Sequence, residues 1–508
     1  MSTDRSSTSD LSAVSERHRP EPDGSAMTNL LAWVVIVLTC SALVLLPQLD
    51  SADENEKSTA AGAGSMMTEL MGRYAVGAGS IDRAQASRFY EQLEPQLNVG
   101  PVPQRQRFVI LAAELAGPEQ ARVVLEELDE LIAQAEAERP PDADPLMSES
   151  QARVQALLHR LYPPAEEVND DARIALDALT EADRRFLRDE LGWFGELAMV
   201  PEEHVSRSER RVILADARRV TFTMVGVMVA LCALGFLGVV GIVLVLIGFG
   251  TGRLRWHFRS GSGAVSVYAE SFAIWLIVFF ALQIAAQVVT ATGNATSFRF
   301  GAAFLAFFIS LLAVFWPVIR GVPWRTVRED IGLTLGRRPL AEPAIGFAGY
   351  AMGLPVLVLG AICTLLLMMV AGLFAEPASP LSPSGAPVHP VALEIGGAGW
   401  LVKLQILLVA AVAAPIVEEI MFRGVLYRNL REMTCRTGRA TSVIGSVGLS
   451  SYIFALIHPQ GWMAIPLLMS LAIVFALVRE WRDTVIPAIV IHGVSNAIIV
   501  GSMVFLLS

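Results

Sequence analysis

Residues 220–250, VTFTMVGVMVALCALGFLGVVGIVLVLIGFG, contain no charged side chain and decide the class of fold. As a helix, this stretch is longer than the hydrocarbon core of a bilayer, which is about 30 Å thick. Of the 508 residues in the chain, 53% are hydrophobic and only 17% are charged. Soluble domains are on average about a quarter charged. We therefore expect an integral membrane protein.

Further apolar blocks lie on both sides of this one. Together they predict an all-α, polytopic helical membrane protein with about nine spans, near 27–47, 220–250, 268–290, 300–319, 343–373, 400–422, 442–458, 463–478 and 485–507. The first block is interpreted as an uncleaved anchor because its apolar core is longer than that of a signal peptide, with cleavage as the alternative. Residues 1–26 are polar and are predicted to be a disordered cytoplasmic tail.

Residues 50–215 have a different character and are predicted to form an inserted soluble helical bundle. Segments such as ARVVLEELDELIAQAEAE place apolar residues at helical spacing opposite a charged face. Ser148 or Ser150, and Thr180, stand where helix N-caps are expected. No catalytic constellation is present in this domain, and we expect it to bind a protein partner, recruit a substrate or regulate access.

The arginines of the predicted loops favour one orientation. With a cytoplasmic N-terminus, the inside loops carry Arg253, Arg255, Arg259, Arg325, Arg328, Arg337, Arg338, Arg428, Arg431, Arg436, Arg439, Arg479 and Arg482. The short outside loops carry only Arg299. This positive-inside pattern predicts that residues 50–215 are extracytoplasmic and that the protein lies in the cell membrane.

Charge and cysteine content exclude other classes. The net charge of -10 argues against nucleic-acid binding, which requires a basic surface. The four cysteines show no metal-binding spacing, and a disulfide framework is not expected.

Three polar patches interrupt the apolar blocks of the membrane domain, 220–508. The first is APIVEEIMFRGVL, in which Glu419 and Arg423 lie one helical turn apart and can pair. Glu418 points about 100° away around the helix and is left to act on something else. The alternative is that all three are interfacial residues at a helix end.

The second and third patches are FALIH and HGVSN. His458 lies four residues after Phe454, and His492 lies four residues before Asn496, so each pair shares a helix face. Each patch alone could be a satisfied polar group or a contact between helices. Ionisable residues within membrane spans nevertheless indicate function by default, because burying them is costly.

Taken together, these side chains suit peptide hydrolysis. Imidazoles and a carboxylate could hold a metal with a water in the open position. A glutamate in a low-dielectric setting is a plausible general base, and Asn and His can donate to a developing oxyanion.

The sequence also resembles a known family. EEIMFR, FALIH and HGVSN are similar, in order and spacing, to the EExxxR, FxxxH and HxxxN motifs of the CAAX prenyl protease type 2 (CPBP) intramembrane metalloproteases. The resemblance covers about 340–508 and implies an intramembrane endopeptidase acting on a membrane-associated protein or peptide. It implies that Glu418 activates water, with Glu419 and Arg423 in support. His458, His492 and Asn496 would be metal ligands or transition-state donors, and the implied metal is zinc.

Two readings compete with an enzyme. One is a non-catalytic membrane scaffold whose outer bundle binds a partner and whose polar residues only pack helices. The other is a transporter, for which the sequence shows no pair of related halves with broken helices. The predicted spans also contain a conflict, since they place Glu418 and His458 near opposite faces of the membrane.

Overall fold

The computed structural model describes residues 26–49, 52–140, 145–163, 175–201, 207–258, 265–291, 299–374, 381–382, 394–396 and 398–506. Within these ranges every regular element is a helix. The all-α fold class is confirmed. The predicted tail 1–26 lies almost entirely outside the described residues. Arg259, one of the predicted inside-loop arginines, also lies outside them.

Eight of the described helices are long and apolar enough to cross a membrane, where the sequence predicted nine. They are Ala26–Leu45, Ser208–Gly250, Ser266–Ala286, Arg299–Ile319, Ala341–Gly372, Trp400–Met433, Trp462–Arg482 and Ile486–Leu506. The predicted span 442–458 is the helix Arg439–Leu456. This helix is less apolar than the others because it begins with an arginine and buries four serines, Ser442, Ser446, Ser450 and Ser451.

For the description below, the helices are numbered in chain order. They are α1 (Ala26–Leu49), α2 (Ala52–Gly79), α3 (Ala86–Leu97), α4 (Val102–Ala116), α5 (Pro118–Ala137), α6 (Glu149–Leu161), α7 (Glu181–Leu191), α8 (Trp193–Ala198), α9 (Arg207–Gly250), α10 (Val265–Ala291), α11 (Arg299–Ile319), α12 (Trp324–Asp330), α13 (Ala341–Gly372), α14 (Trp400–Met433), α15 (Arg439–Leu456), α16 (Ile465–Arg482) and α17 (Ile486–Leu506).

The helices α2 to α8 and the start of α9 enclose a hydrophobic core of their own. Ser148 caps α6 and Thr180 caps α7. In both cases the side chain of the cap residue accepts a hydrogen bond from the backbone N–H three residues on, and the side chain of that third residue accepts one from the backbone N–H of the cap residue. Ser148, not Ser150, is therefore the N-cap of α6, and the predicted cap at Thr180 is confirmed.

The long helix α9 joins this bundle to the membrane domain. On the bundle side, Gly77 of α2 allows α9 to approach so closely that a Cβ there would overlap the carbonyl of Ala217. Thr221 Oγ1 donates to the carbonyl of Tyr74 at 2.9 Å across the same contact. On the membrane side, a Cβ on Gly238 would overlap the carbonyl of Ala351 in α13. Glycine thus permits both contacts.

Contacts between helix ends agree with the prediction that successive helices run in opposite directions through the membrane domain. Trp33, near the start of α1, donates through Nε1 to Asn429 Oδ1 near the end of α14 at 3.2 Å. Phe258, after α9, packs on Tyr427 of the same α14 end, with ring centroids 5.5 Å apart. At the other end, Arg219 lies 5.3 Å from the ring of Phe505, beside the bundle. Which side faces the cytoplasm stays a prediction.

The close contact at Gly238 yields a stability test. We expect Gly238→Ala to separate α9 from α13 and to lower the free energy of unfolding by about 1–3 kcal/mol, as overpacking does. Gly226→Ala on the same helix is the matched control, since no described atom lies within 4 Å of a Cβ there. Thermal unfolding of both variants in detergent measures the difference, and equal behaviour would contradict the packing described.

Candidate functional site

The three polar patches meet around the carboxylate of Glu419. Arg423 NH1 donates to Glu419 Oε1 at 2.9 Å, and both side chains are essentially inaccessible to solvent. His492 Nδ1 lies 2.9 Å from the same oxygen. Arg423 NH2 also donates to the carbonyl of Ala472 in α16 at 3.2 Å. One carboxylate therefore ties α14 to α17, and its arginine ties α14 to α16.

Glu418 is placed differently from its neighbour. Its Oε2 atom is buried and has no hydrogen-bond partner among the described residues. The nearest cationic or ionisable partner is His492, whose Nε2 lies 4.0 Å from Glu418 Oε2. That distance is too long for a direct hydrogen bond. The two adjacent glutamates thus face opposite sides of one imidazole.

Aromatic rings surround the guanidinium of Arg423. Its Cζ lies 4.4 Å from the ring centroid of Phe454 and 4.8 Å from that of Phe475. Phe475 also stacks on His492, with centroids 5.0 Å apart and ring planes 22° apart. Such cation–π and stacking contacts exclude water and hold both partners of Glu419 in position.

His458 joins this group through Phe454. Their ring centroids are 4.3 Å apart, and His458 Nδ1 lies 2.5 Å from the backbone carbonyl of Phe454. Because a carbonyl only accepts, Nδ1 carries the proton. Phe454 in turn contacts His492, with centroids 5.8 Å apart. One phenylalanine therefore lies between the two histidines.

Asn496 is directed to a backbone group of α14. Its Nδ2 donates to the carbonyl of Ala410 at 2.8 Å. The structure thus brings Glu418, Glu419, Arg423 and His492 into mutual contact, places His458 beside them across Phe454, and attaches Asn496 to the helix that carries the glutamates.

The conflict over depth comes from an error in one predicted span. The block 400–422 was drawn too short, because α14 continues to Met433 and places Glu418 well inside the helix. α14 and α15 form a hairpin, so residues at similar distances from its turn lie at the same depth. Phe422 and Phe454 are such a pair, with ring centroids 5.1 Å apart. His458 follows one turn after Phe454.

Two features of the site were not predicted. α14 contains π-helical segments at Val409–Ala413 and Ile420–Leu426, on either side of the glutamates. Pro415 lies between them and is the one sequence signal for such a departure from the α-helical register. Phe475 carries no sequence signal, since it is one apolar residue among many in α16.

The predicted metal site is not assembled as a ligand set. Among the described residues, no group of three or more His, Cys, Asp or Glu side chains is arranged to hold a metal ion. Of the predicted ligands His458, His492 and Asn496, the asparagine is engaged with Ala410. The arrangement of His492 Nδ1 on Glu419 is nevertheless one that metal-binding histidines commonly show. A zinc ion stays a prediction.

Comparison with known proteins agrees with the location of the site. Residues 400–498 match the family model described as Type II CAAX prenyl endopeptidase Rce1-like. The matched segment begins at the first residue of α14 and includes all six predicted site residues. Searches of curated proteins and of solved structures found no match. Residues 400–498, which contain the whole candidate site, therefore form a domain of the CPBP family of CAAX prenyl proteases.

Proposed function

We propose that the protein is an intramembrane endopeptidase that hydrolyses a peptide bond in a membrane-associated protein or peptide. The observation that carries this proposal is the contrast between the adjacent glutamates. Glu419 accepts from both Arg423 and His492 through Oε1, and only its Oε2 is without a partner among the described residues. Glu418 Oε2 is also buried without a partner there, but it faces Nε2 of His492. Buried polar groups usually have a hydrogen-bond partner, and an unpaired carboxylate oxygen that faces an imidazole is placed to hold a water.

The contacts of His492 define what this site can do. The carboxylate of Glu419 is paired with Arg423 and only accepts, so His492 Nδ1 donates to it. In the neutral ring, Nε2 then presents a lone pair toward Glu418 Oε2, 4.0 Å away. Two acceptors at this separation suit a water molecule that donates one hydrogen to each and keeps its own lone pair for attack.

The chemical step follows from this arrangement. Glu418 takes a proton from the water while the water oxygen attacks the carbonyl carbon of the substrate. Glu418 then delivers that proton to the amine that leaves as the C–N bond breaks. His458 has its Nδ1 atom on the Phe454 carbonyl and packs on the ring that also contacts His492, and in this proposal it helps to orient the water. Glu419 and Arg423 hold the imidazole of His492 and do not react.

The scaffold reading assigns these polar residues to helix packing alone. It accounts for Glu419, Arg423 and Asn496, each of which is bonded across helices. It does not account for Glu418, because that side chain makes no packing bond through its buried oxygen. A partner-binding role of the outer bundle stays a prediction beside the proposed activity.

The catalytic assignment is tested with the purified protein in liposomes and a farnesylated CaaX reporter peptide. We expect Glu418→Gln to lower kcat at least a hundred-fold, as loss of a general base does, and His458→Ala also to lower kcat strongly. Glu394→Gln is the control, because Glu394 lies in an exposed ion pair with Arg299. If Glu418→Gln cleaves the peptide as fast as the parent, Glu418 is not the base.

A second test asks whether Arg423 stabilises the fold through its ion pair with Glu419. Arg423–Glu419 and Arg325–Glu329 are both pairs four residues apart on a helix, but the first is buried and the second exposed. We expect Arg423→Gln to lower the free energy of unfolding by about 3–5 kcal/mol, because it leaves a buried carboxylate without its partner. Arg325→Gln should have almost no effect. Chemical denaturation in mild detergent compares them, and equal stabilities would contradict a supporting role for Arg423.

The zinc ion implied by the family resemblance is tested independently of the mechanism. We expect the purified protein to contain zinc by elemental analysis, His492→Ala to contain less, and a chelator to abolish cleavage of the reporter peptide until zinc is restored. Full cleavage by protein without bound metal would show that Glu418 and the histidines suffice.

A further inference from the structure

The side chain of Asn496, in α17, donates to the carbonyl of Ala410, which has no backbone donor within its own helix α14. Ala410 lies in the first π-helical segment of α14, where the N–H of Ala414 bonds to the carbonyl of Val409, five residues back. In this register the donor for Ala410 would be residue 415, which is a proline and has no N–H. The amide of Asn496 supplies the missing donor at 2.8 Å.

A separate observation shows that α17 is shaped for this contact. Gly493, on the turn of α17 before Asn496, faces the same segment of α14. A Cβ at Gly493 would lie 2.9 Å from the carbonyl oxygen of Ala411 and 4.0 Å from Cβ of Pro415. Only glycine lets the α17 backbone come close enough for the asparagine side chain to reach Ala410.

We propose that Asn496 is a positioning residue that acts through the proline-interrupted segment of α14. In a membrane, a carbonyl freed by proline must be satisfied by a neighbouring helix. Asn496 meets that need and thereby sets where α17 lies along α14. Because Glu418 and Glu419 follow Pro415 on one helix, and His492 precedes Asn496 on the other, this bond sets how the glutamates meet the imidazole.

This proposal rests on the proposed function for its effect on rate, but not for its effect on stability. It differs from a role in which Asn496 contacts the substrate. A substrate contact is indifferent to residue 415, whereas the positioning role exists only because residue 415 lacks an N–H.

A double-mutant cycle between Asn496→Ala and Pro415→Ala distinguishes the two roles. In the parent, Asn496→Ala should lower kcat for the farnesylated reporter peptide about ten- to a hundred-fold, as displaced catalytic groups do, with KM little changed. In the Pro415→Ala background, where an alanine N–H can satisfy the carbonyl, the same change should have little further effect. The midpoint of thermal unfolding should show the same coupling.

Two controls accompany the cycle. Pro355, inside α13, is a proline that does not face this contact, so Pro355→Ala should leave the effect of Asn496→Ala unchanged. Asn496→Asp keeps the size but removes the donor, and should be as harmful as Asn496→Ala.

The proposal is overturned if Asn496→Ala costs as much in the Pro415→Ala background as in the parent, in both kcat and unfolding temperature. If no variant cleaves the peptide, the unfolding temperatures still decide between coupling and additivity. In that case the proposed function fails while the positioning role is judged separately.

Discussion

The pairing of Glu419 with Arg423 in the interior of the membrane domain is the interaction on which the rest of the site depends. Removing two charges from water is expensive, so such a pair persists only where further hydrogen bonds and close packing compensate. Here His492 and the carbonyl of Ala472 supply the hydrogen bonds, and Phe454 and Phe475 supply the packing. The same contacts join α14 to α15, α16 and α17.

This arrangement explains why two adjacent glutamates can differ so much. Consecutive residues of a helix face directions about 100° apart, so Arg423 and the Nδ1 atom of His492, which bind Glu419, do not bind Glu418 in the same way. Glu419 Oε1 is bonded to Arg423 and to Nδ1 of His492, whereas Glu418 Oε2 has no hydrogen-bond partner among the described residues and lies 4.0 Å from Nε2 of the same imidazole. The bonds that Glu419 makes to Arg423 and His492 are therefore not shared by Glu418, which leaves Glu418 available.

Much of this could be predicted from the sequence, because it depends on local periodicity. The spacing of Glu419 and Arg423 indicated their pairing, and Thr180 indicated a cap through its partner three residues on. Features that depend on tertiary contact could not be predicted. Beyond residue 422, Arg428 pairs with Asp330 and Arg431 pairs with Glu480 on other helices. In the first π-helical segment, the carbonyl of Ala410 accepts from Asn496 of α17.

The shared helix α9 has a consequence for how the protein divides into parts. The predicted boundary near 215 follows composition, yet the hydrophobic core of the bundle includes Ala217, and Thr221 bonds to α2. The last helix of the bundle is thus also the apolar helix that packs on α13. A cut in this region divides a helix that packs in both parts, so the bundle is an extension of the membrane domain's own framework and not a tethered module.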